Sequence, residues 1–334
     1  MAMLEEQVQG ERMARIVLSM IAEPDDPITG YILARHGGVA TLGLAESDRE
    51  VTGLARADLL LWREHLRARI APDLLDRVAE AQQRGSGILI PTDREWPAGL
   101  DGLGERAPYL MWTAGASSIL TAALSDRVAI TGARASSGYG EHVTRELATG
   151  LADEQRVVVA GGAYGIEGAA HRAVLAAAGR PIAVLATGLD RRYPAGHSEL
   201  LDRVGDAGLL VSELPPGTAP TKHRFEARNR LMAALSGAVI VPEAGVRSGS
   251  LTTVRNARGL GRGVGAVPGP VTSVVSAGPN ELIKQGLASV ITQASDVIAL
   301  LDADVTAHDA TNRSGLGWER RVDRSVPEVP PRSI

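Results

Sequence analysis

Seven short apolar runs, at 128–131, 157–160, 182–186, 209–211, 238–241, 264–267 and 289–291, alternate with stretches of helical spacing near 141–152, 166–178, 196–205, 225–236, 249–260 and 279–286. Strands without polar alternation are buried on both faces, which requires a largely parallel sheet with helices on either side. Right-handed crossovers then give a doubly wound α/β domain, whose ligands bind outside the carboxyl ends of the strands.

Upstream the rhythm differs. Helical spacing at 12–22, 28–34, 57–70 and 74–83, broken by Pro24-Asp25-Asp26-Pro27 and by His36-Gly37-Gly38, predicts a small all-α module over 1–86. Short strands at 88–90 and 109–112 lead into the α/β domain, which is expected to run over 87–301. The Pro-rich end, Val326-Pro327-Glu328-Val329-Pro330-Pro331-Arg332, predicts a flexible tail over 302–334. No run reaches the ~20 apolar residues of a membrane span, and 1–10 lacks the basic-then-apolar order of a signal peptide. The absence of cysteine excludes disulfides and thiolate chemistry, so a cytoplasmic protein is expected.

The turns after the strands carry the candidate chemistry. The first is Gly132-Ala133-Arg134-Ala135-Ser136-Ser137-Gly138-Tyr139-Gly140, the second Gly161-Gly162-Ala163-Tyr164-Gly165, and the fifth Glu243-Ala244-Gly245-Val246-Arg247-Ser248-Gly249-Ser250. Strand, tight turn and helix start in that order aim backbone N–H groups at an anion. The first turn is no dinucleotide fingerprint, because Arg134 stands where the second glycine of the triplet is needed, and no P-loop, because no Gly-Lys-Ser/Thr follows. Ser137 lacks the nucleophile elbow. His171 lies in an Ala-rich helix, where packing is the expected role, and no cluster has metal-ligand spacing. No cofactor and no metal are therefore expected.

Net charge is −4, but it is unevenly placed. Lys222, Arg224, Arg228, Arg230, Arg247, Arg255, Arg258 and Arg262 face only Glu226 and Glu243 within 222–262, a local basic zone that reads as an anion site or as a solvated helix face. Phe225, the chain's only phenylalanine, opens a helix carrying Arg228, Asn229 and Arg230. The two arginines project about 160° apart, so one can face the cleft while the other pairs with a carboxylate. Glu213 and Glu243 each follow a strand and could face each other for acid–base work, or instead hold neighbouring arginines. The second reading is the one adopted.

Together these segments resemble the DNA-processing protein A (DprA/Smf) family. The resemblance covers most of 88–300, through Gly132-Ala133-Arg134 with Tyr139-Gly140, Gly161-Gly162-Ala163-Tyr164-Gly165-Ile166, Gly188-Leu189-Asp190 with Tyr193-Pro194, Ser212-Glu213, Phe225 with Arg228-Asn229-Arg230, Ser248-Gly249-Ser250 and Gly278-Pro279-Asn280-Glu281. It implies an extended Rossmann-like fold preceded by a SAM-like helical module. It further implies a non-catalytic binder of single-stranded DNA that dimerises through the Rossmann domain, protects incoming DNA and assists loading of the recombinase RecA in natural transformation. On this chain the implied strand contacts are Gly132, Arg134, Ser136, Ser137, Gly138, Gly161, Gly162, Lys222, Phe225, Arg228, Arg230, Ser248 and Gly249, with Glu213, Asn229 and Glu243 supporting them. The chain departs from the family pattern at Glu167, where Asp is usual, and at Glu226, where Pro is frequent. A C-terminal winged helix, carried by many members, is not expected in the residues that follow 301.

One enzymatic alternative comes from the nucleoside-monophosphate phosphoribohydrolases, which the fifth turn resembles. Their Pro-Gly-Gly-x-Gly-Thr is followed by a catalytic Glu. Here Glu243-Ala244 replaces the glycine pair and no Glu follows on the next helix.

Overall fold

The computed structural model describes residues 3–84 and 86–302; the tail expected at 302–334 lies, after its first residue, outside the described residues. Five helices come first: α1 (Leu4–Gln7), α2 (Glu11–Ile21), α3 (Pro27–Glu46), α4 (Arg56–Arg67) and α5 (Leu74–Gln83). The α3 helix starts at an Asp26 cap, whose carboxylate accepts from Thr29 N at 2.8 Å. The Gly-Gly pair expected to end it only kinks it. Gly37 takes φ 76°, a glycine conformation, and the Glu11 carboxylate then accepts from Gly38 N at 2.7 Å, so the chain restarts as helix to Glu46.

The α/β part follows as β1 (Gly87–Leu89), β2 (Met111–Gly115), β3 (Arg127–Ile130), α6 (Gly138–Asp153), β4 (Val157–Ala160), α7 (Ile166–Ala176), β5 (Pro181–Val184), α8 (Ser198–Ala207), β6 (Leu209–Ser212), α9 (Lys222–Ala234), β7 (Ala238–Val241), α10 (Leu251–Gly259), β8 (Gly263–Ala266), α11 (Ala277–Lys284) and β9 (Ser289–Val290). They form one nine-stranded sheet in the order β1-β2-β6-β5-β4-β3-β7-β8-β9. All pairs from β6 to β9 are parallel, and β2 alone runs against the rest, pairing antiparallel with both β1 and β6. This is the doubly wound, Rossmann-like arrangement expected. A 3₁₀ segment at Ala98–Arg106, between β1 and β2, was not expected from the sequence.

Strands β3 to β7 are buried at every residue, and because successive residues point to opposite sides both of their faces are covered. Val157, Val159, Val239 and Val241 pack with Leu231 of α9 and its C-cap Leu235 on one side, while Val158, Ala238 and Ile240 pack with Leu147 and Val174 on the other. The helical module is fused to the sheet by a shared core, in which Leu18, Ile21 and Trp62 join Trp112, Leu185 and Leu210. Strand order reverses between β3 and β7, so a crevice opens there at the carboxyl ends. Among the described residues no helix is long and apolar enough to cross a membrane.

Candidate functional site

A cleft of about 660 Å³ lies at this reversal, walled by the β3–α6 turn, the first turn of α9 and the β7–α10 turn. Gly132, Arg134, Lys222, Phe225, Arg228, Asn229, Ser248 and Gly249 all line it, so turns remote in sequence do meet at one sheet edge as predicted. At its mouth stands the half-buried Phe225 ring. The exposed Arg134 guanidinium lies over it at 4.8 Å, Arg228 at 5.8 Å, and the Tyr193 ring at 6.0 Å. Arg134 has no carboxylate partner among the described residues. Tyr193 was not among the predicted site residues, although its Tyr-Pro motif belongs to the resemblance.

The floor is a buried ion pair. Arg228 Nη1 donates to Val184 O at 2.8 Å, and its Nη2 lies 3.7 Å from Glu167 Oε2. Glu167 is itself fixed by Thr131 Oγ1 at 2.9 Å and by Ala163 N at 3.1 Å, while Arg228 Nε is buried without a partner among the described residues. In the sequence Glu167 stands out only as a departure from the family's Asp. Its place in the first helical turn beyond the second glycine-rich loop, opposite an arginine pair, was the available signal.

Several predicted contacts have other work in the structure. Glu243 Oε2 accepts from Ser137 N at 2.8 Å and its Oε1 from Ser137 Oγ at 2.5 Å. A protein carboxylate therefore occupies the N-terminus of α6, where this fold usually seats a phosphate. A Cβ on Gly140 would lie 2.1 Å from that carboxylate, so glycine there makes room for it. Ser136 Oγ turns to Glu141 at 2.9 Å. Gly161 is buried, and a Cβ there would fall 1.6 Å from Arg228 Nη1; Gly132 is partly exposed, but a Cβ there would fall 2.4 Å from Glu243 O, so neither position has room for a side chain. Gly162 is buried with its carbonyl accepting from His197 Nδ1 at 3.0 Å. Gly138 and Gly249 are exposed and sterically open. Ser248 Oγ meets Ser250 Oγ at 2.8 Å, and Asn229 Nδ2 holds Gly249 O at 3.1 Å.

Arg230 corrects an expectation outright. It is completely buried on the opposite side of α9 from the cleft residues, and both of its terminal nitrogens donate to Glu213 at 2.7 Å. Its Nε donates to Arg106 O at 2.7 Å and lies 3.2 Å from Asp25. Burial works against this charge, but the adjoining Glu213 carboxylate and Asp25 outweigh it and raise the guanidinium pKa. The residue bonds the α/β domain to the helical module and cannot reach a ligand. Of the two arginines, Arg228 faces the cleft.

The two strand-end glutamates are likewise not a pair. Glu213 follows β6 and Glu243 follows β7, four strand positions apart, or about 19 Å at ~4.8 Å per strand. Glu213 holds an arginine as read, whereas Glu243 holds the α6 terminus. The basic zone is also thinner than its composition suggested. Lys222 pairs with Glu226 at the surface, Arg224 with Glu23, Arg228 with Glu167 and Arg230 with Glu213. Exposed Arg247, Arg255 and Arg258 have no carboxylate partner among the described residues. His171 is fully buried with Nε2 against Gly161 O at 2.9 Å, and burial lowers its pKa to about 4, so it packs as a neutral ring.

The sequence model of the family described as DNA recombination-mediator protein A matches residues 87–302. The chain is 47% identical over 238 residues to the DNA processing protein DprA of Mycobacterium tuberculosis H37Rv, covering 67% of this chain and 61% of that one, so it spans less than two thirds of that relative's length. It is 34% identical over 226 residues to DprA of Bacillus subtilis, covering 68% of this chain and 75% of the relative. Among solved structures, DprA from Streptococcus pneumoniae superposes with a TM-score of 0.71 at 30% identity, over 87% of this chain and 98% of that one. DNA processing protein A from Helicobacter pylori, described for its single-stranded DNA binding mode, gives a TM-score of 0.59 at 30% identity, over 66% and 97%.

Proposed function

The chain belongs to the DNA recombination-mediator protein A family, and we propose on that premise that it binds single-stranded DNA in the switch-point cleft and passes the strand to the RecA recombinase. The observation that carries this reading is the Phe225 ring, flanked by Arg134, Arg228 and Tyr193 at the mouth of the cleft. An aromatic face beside a free guanidinium takes an unpaired base and its phosphate together, and does so without regard to sequence. A duplex keeps its base faces stacked and cannot use the platform.

The protein acts in this reading as a binder and not as an enzyme, cytoplasmic, dimeric, and engaged in protecting incoming DNA during natural transformation. The phosphoribohydrolase alternative loses its support, since Glu243 is 1% exposed and committed to Ser137.

The test is a titration of fluorescent oligonucleotides across salt. Affinity falls with a log–log slope of about −0.7 per contacted phosphate. Phe225→Ala loses about 1–3 kcal/mol of binding, and Arg134→Ala weakens all sequences alike. Equal affinity for duplex and single strand overturns the proposal.

A further inference from the structure

A second groove, of about 640 Å³, lies on the far side of the loop that precedes α9. One wall is α5 with the ends of α2 and α4, and the other is the 214–219 loop. Four arginines reach it: Arg69, Arg77, Arg84 and Arg224. The carboxylates that face them are Glu23, shared by Arg69 and Arg224 at 2.8 Å each, Asp190, paired with Arg84 at 2.9 Å, and Glu80 on α5. Cations thus outnumber carboxylates, and Arg77 is exposed with no partner among the described residues. The Arg84 side chain is 53% exposed despite its ion pair, which leaves its outer donors available.

The groove and the cleft share a narrow ridge. Pro220, Thr221 and Lys222 line the cleft, while Ala219 and Arg224 line the groove. The ridge is the N-terminus of a 13-residue helix capped by Thr221, with Lys222 91% exposed upon it. A chain of phosphates crossing there meets backbone N–H groups and the positive end of the helix dipole.

From this continuity we infer that the groove between the helical module and the α/β domain takes the phosphodiester backbone of the same DNA strand as it leaves the cleft over the start of α9. The inference rests on the single-strand reading of the cleft. It gives the helical module a direct role in binding, through Arg77 and Arg84 of the α5 segment. The groove has no aromatic side chain in its lining, so it contributes charge and not stacking.

The experiment compares oligothymidines of about 4 and about 16 nucleotides by fluorescence anisotropy. Arg77→Ala combined with Arg84→Ala weakens the longer strand on the order of tenfold and flattens its salt slope by about 0.7 for each phosphate that is no longer neutralised. The shorter strand is unaffected, whereas Phe225→Ala weakens both. Arg77→Glu alone, at an exposed and unpaired position, gives the same length-selective loss should the double variant fold poorly. Unchanged affinity for the longer strand overturns the inference, and so does a parallel loss on both lengths. If the unaltered protein binds neither length, the cleft reading fails first.

Discussion

Replacing Arg230 by Met separates two roles that its sequence position left open. In the structure its guanidinium is 0% exposed, makes two 2.7 Å bonds to Glu213 and also serves Arg106 O. Removing it strands Glu213, which is 8% exposed, as a buried carboxylate without its cation. Breaking one side of such a pair costs about 3–5 kcal/mol, a large share of the ~5–15 kcal/mol that stabilises a folded domain. Asp25 softens the loss little, since it keeps Arg106 at 2.9 and 2.6 Å. Urea unfolding followed by circular dichroism therefore shifts its midpoint down by roughly 1–2 M. Adding Glu213→Leu removes the stranded charge and recovers most of the stability, because apolar pairs of similar volume replace buried ion pairs at little cost. Single-strand binding returns with it. Two results refute this reasoning: a Met variant as stable as the parent, or a double variant that folds fully yet binds DNA as poorly as an Arg134→Ala protein.

Gly161→Ala places a Cβ 1.6 Å from Arg228 Nη1 and 2.4 Å from Glu167 Oε2, so the floor of the cleft must shift. We expect a loss of about 1–3 kcal/mol in urea unfolding together with weaker DNA binding; parental stability contradicts it. His171 is neutral in the folded protein, with its pKa lowered from 6.5 to about 4, whereas the unfolded chain takes up a proton near 6.5. Its contribution is complete above pH 6.5 and is lost as pH falls towards 4, up to about 3 kcal/mol in all. Unfolding midpoints measured against pH show this slope in the parent, and His171→Gln, which keeps a donor for Gly161 O but does not titrate, flattens it.

The sheet was legible because its strands are covered on both faces. Each of the seven apolar runs becomes a strand within one or two residues of its expected ends; β3 to β7 are buried at every residue, where nothing competes with apolar character, and β9 at the sheet edge is the exposed exception. The second half of α3 was hidden by Gly37, where a local breaker signal is overridden by the distant Glu11 carboxylate. The Ala98–Arg106 turn was hidden by its own three glycines. The location of the cleft followed from topology alone. Which side chains face it did not, because that depends on partners remote in sequence. Arg230 is claimed by Glu213 and by Asp25 of the helical module, and Arg224 by Glu23, contacts that no window around α9 contains.

The glycine-rich β3–α6 turn illustrates how one fold geometry is diverted. Its helix start has the orientation that seats phosphates in related topologies, but the oxygens found there belong to Glu243, held by two Ser137 donors and fitted beside Gly140. A ligand phosphate entering that position must displace a bonded carboxylate and bring its own negative charge into a 1% exposed site. The electrostatic cost forces an anionic ligand outward, to the rim where Arg134 lies uncompensated over Phe225. Glu243 thus closes the interior of the crevice to anions and leaves its mouth open to them. A mouth suits a continuous strand, which must pass across it, better than a small nucleotide, which gains affinity by being enclosed.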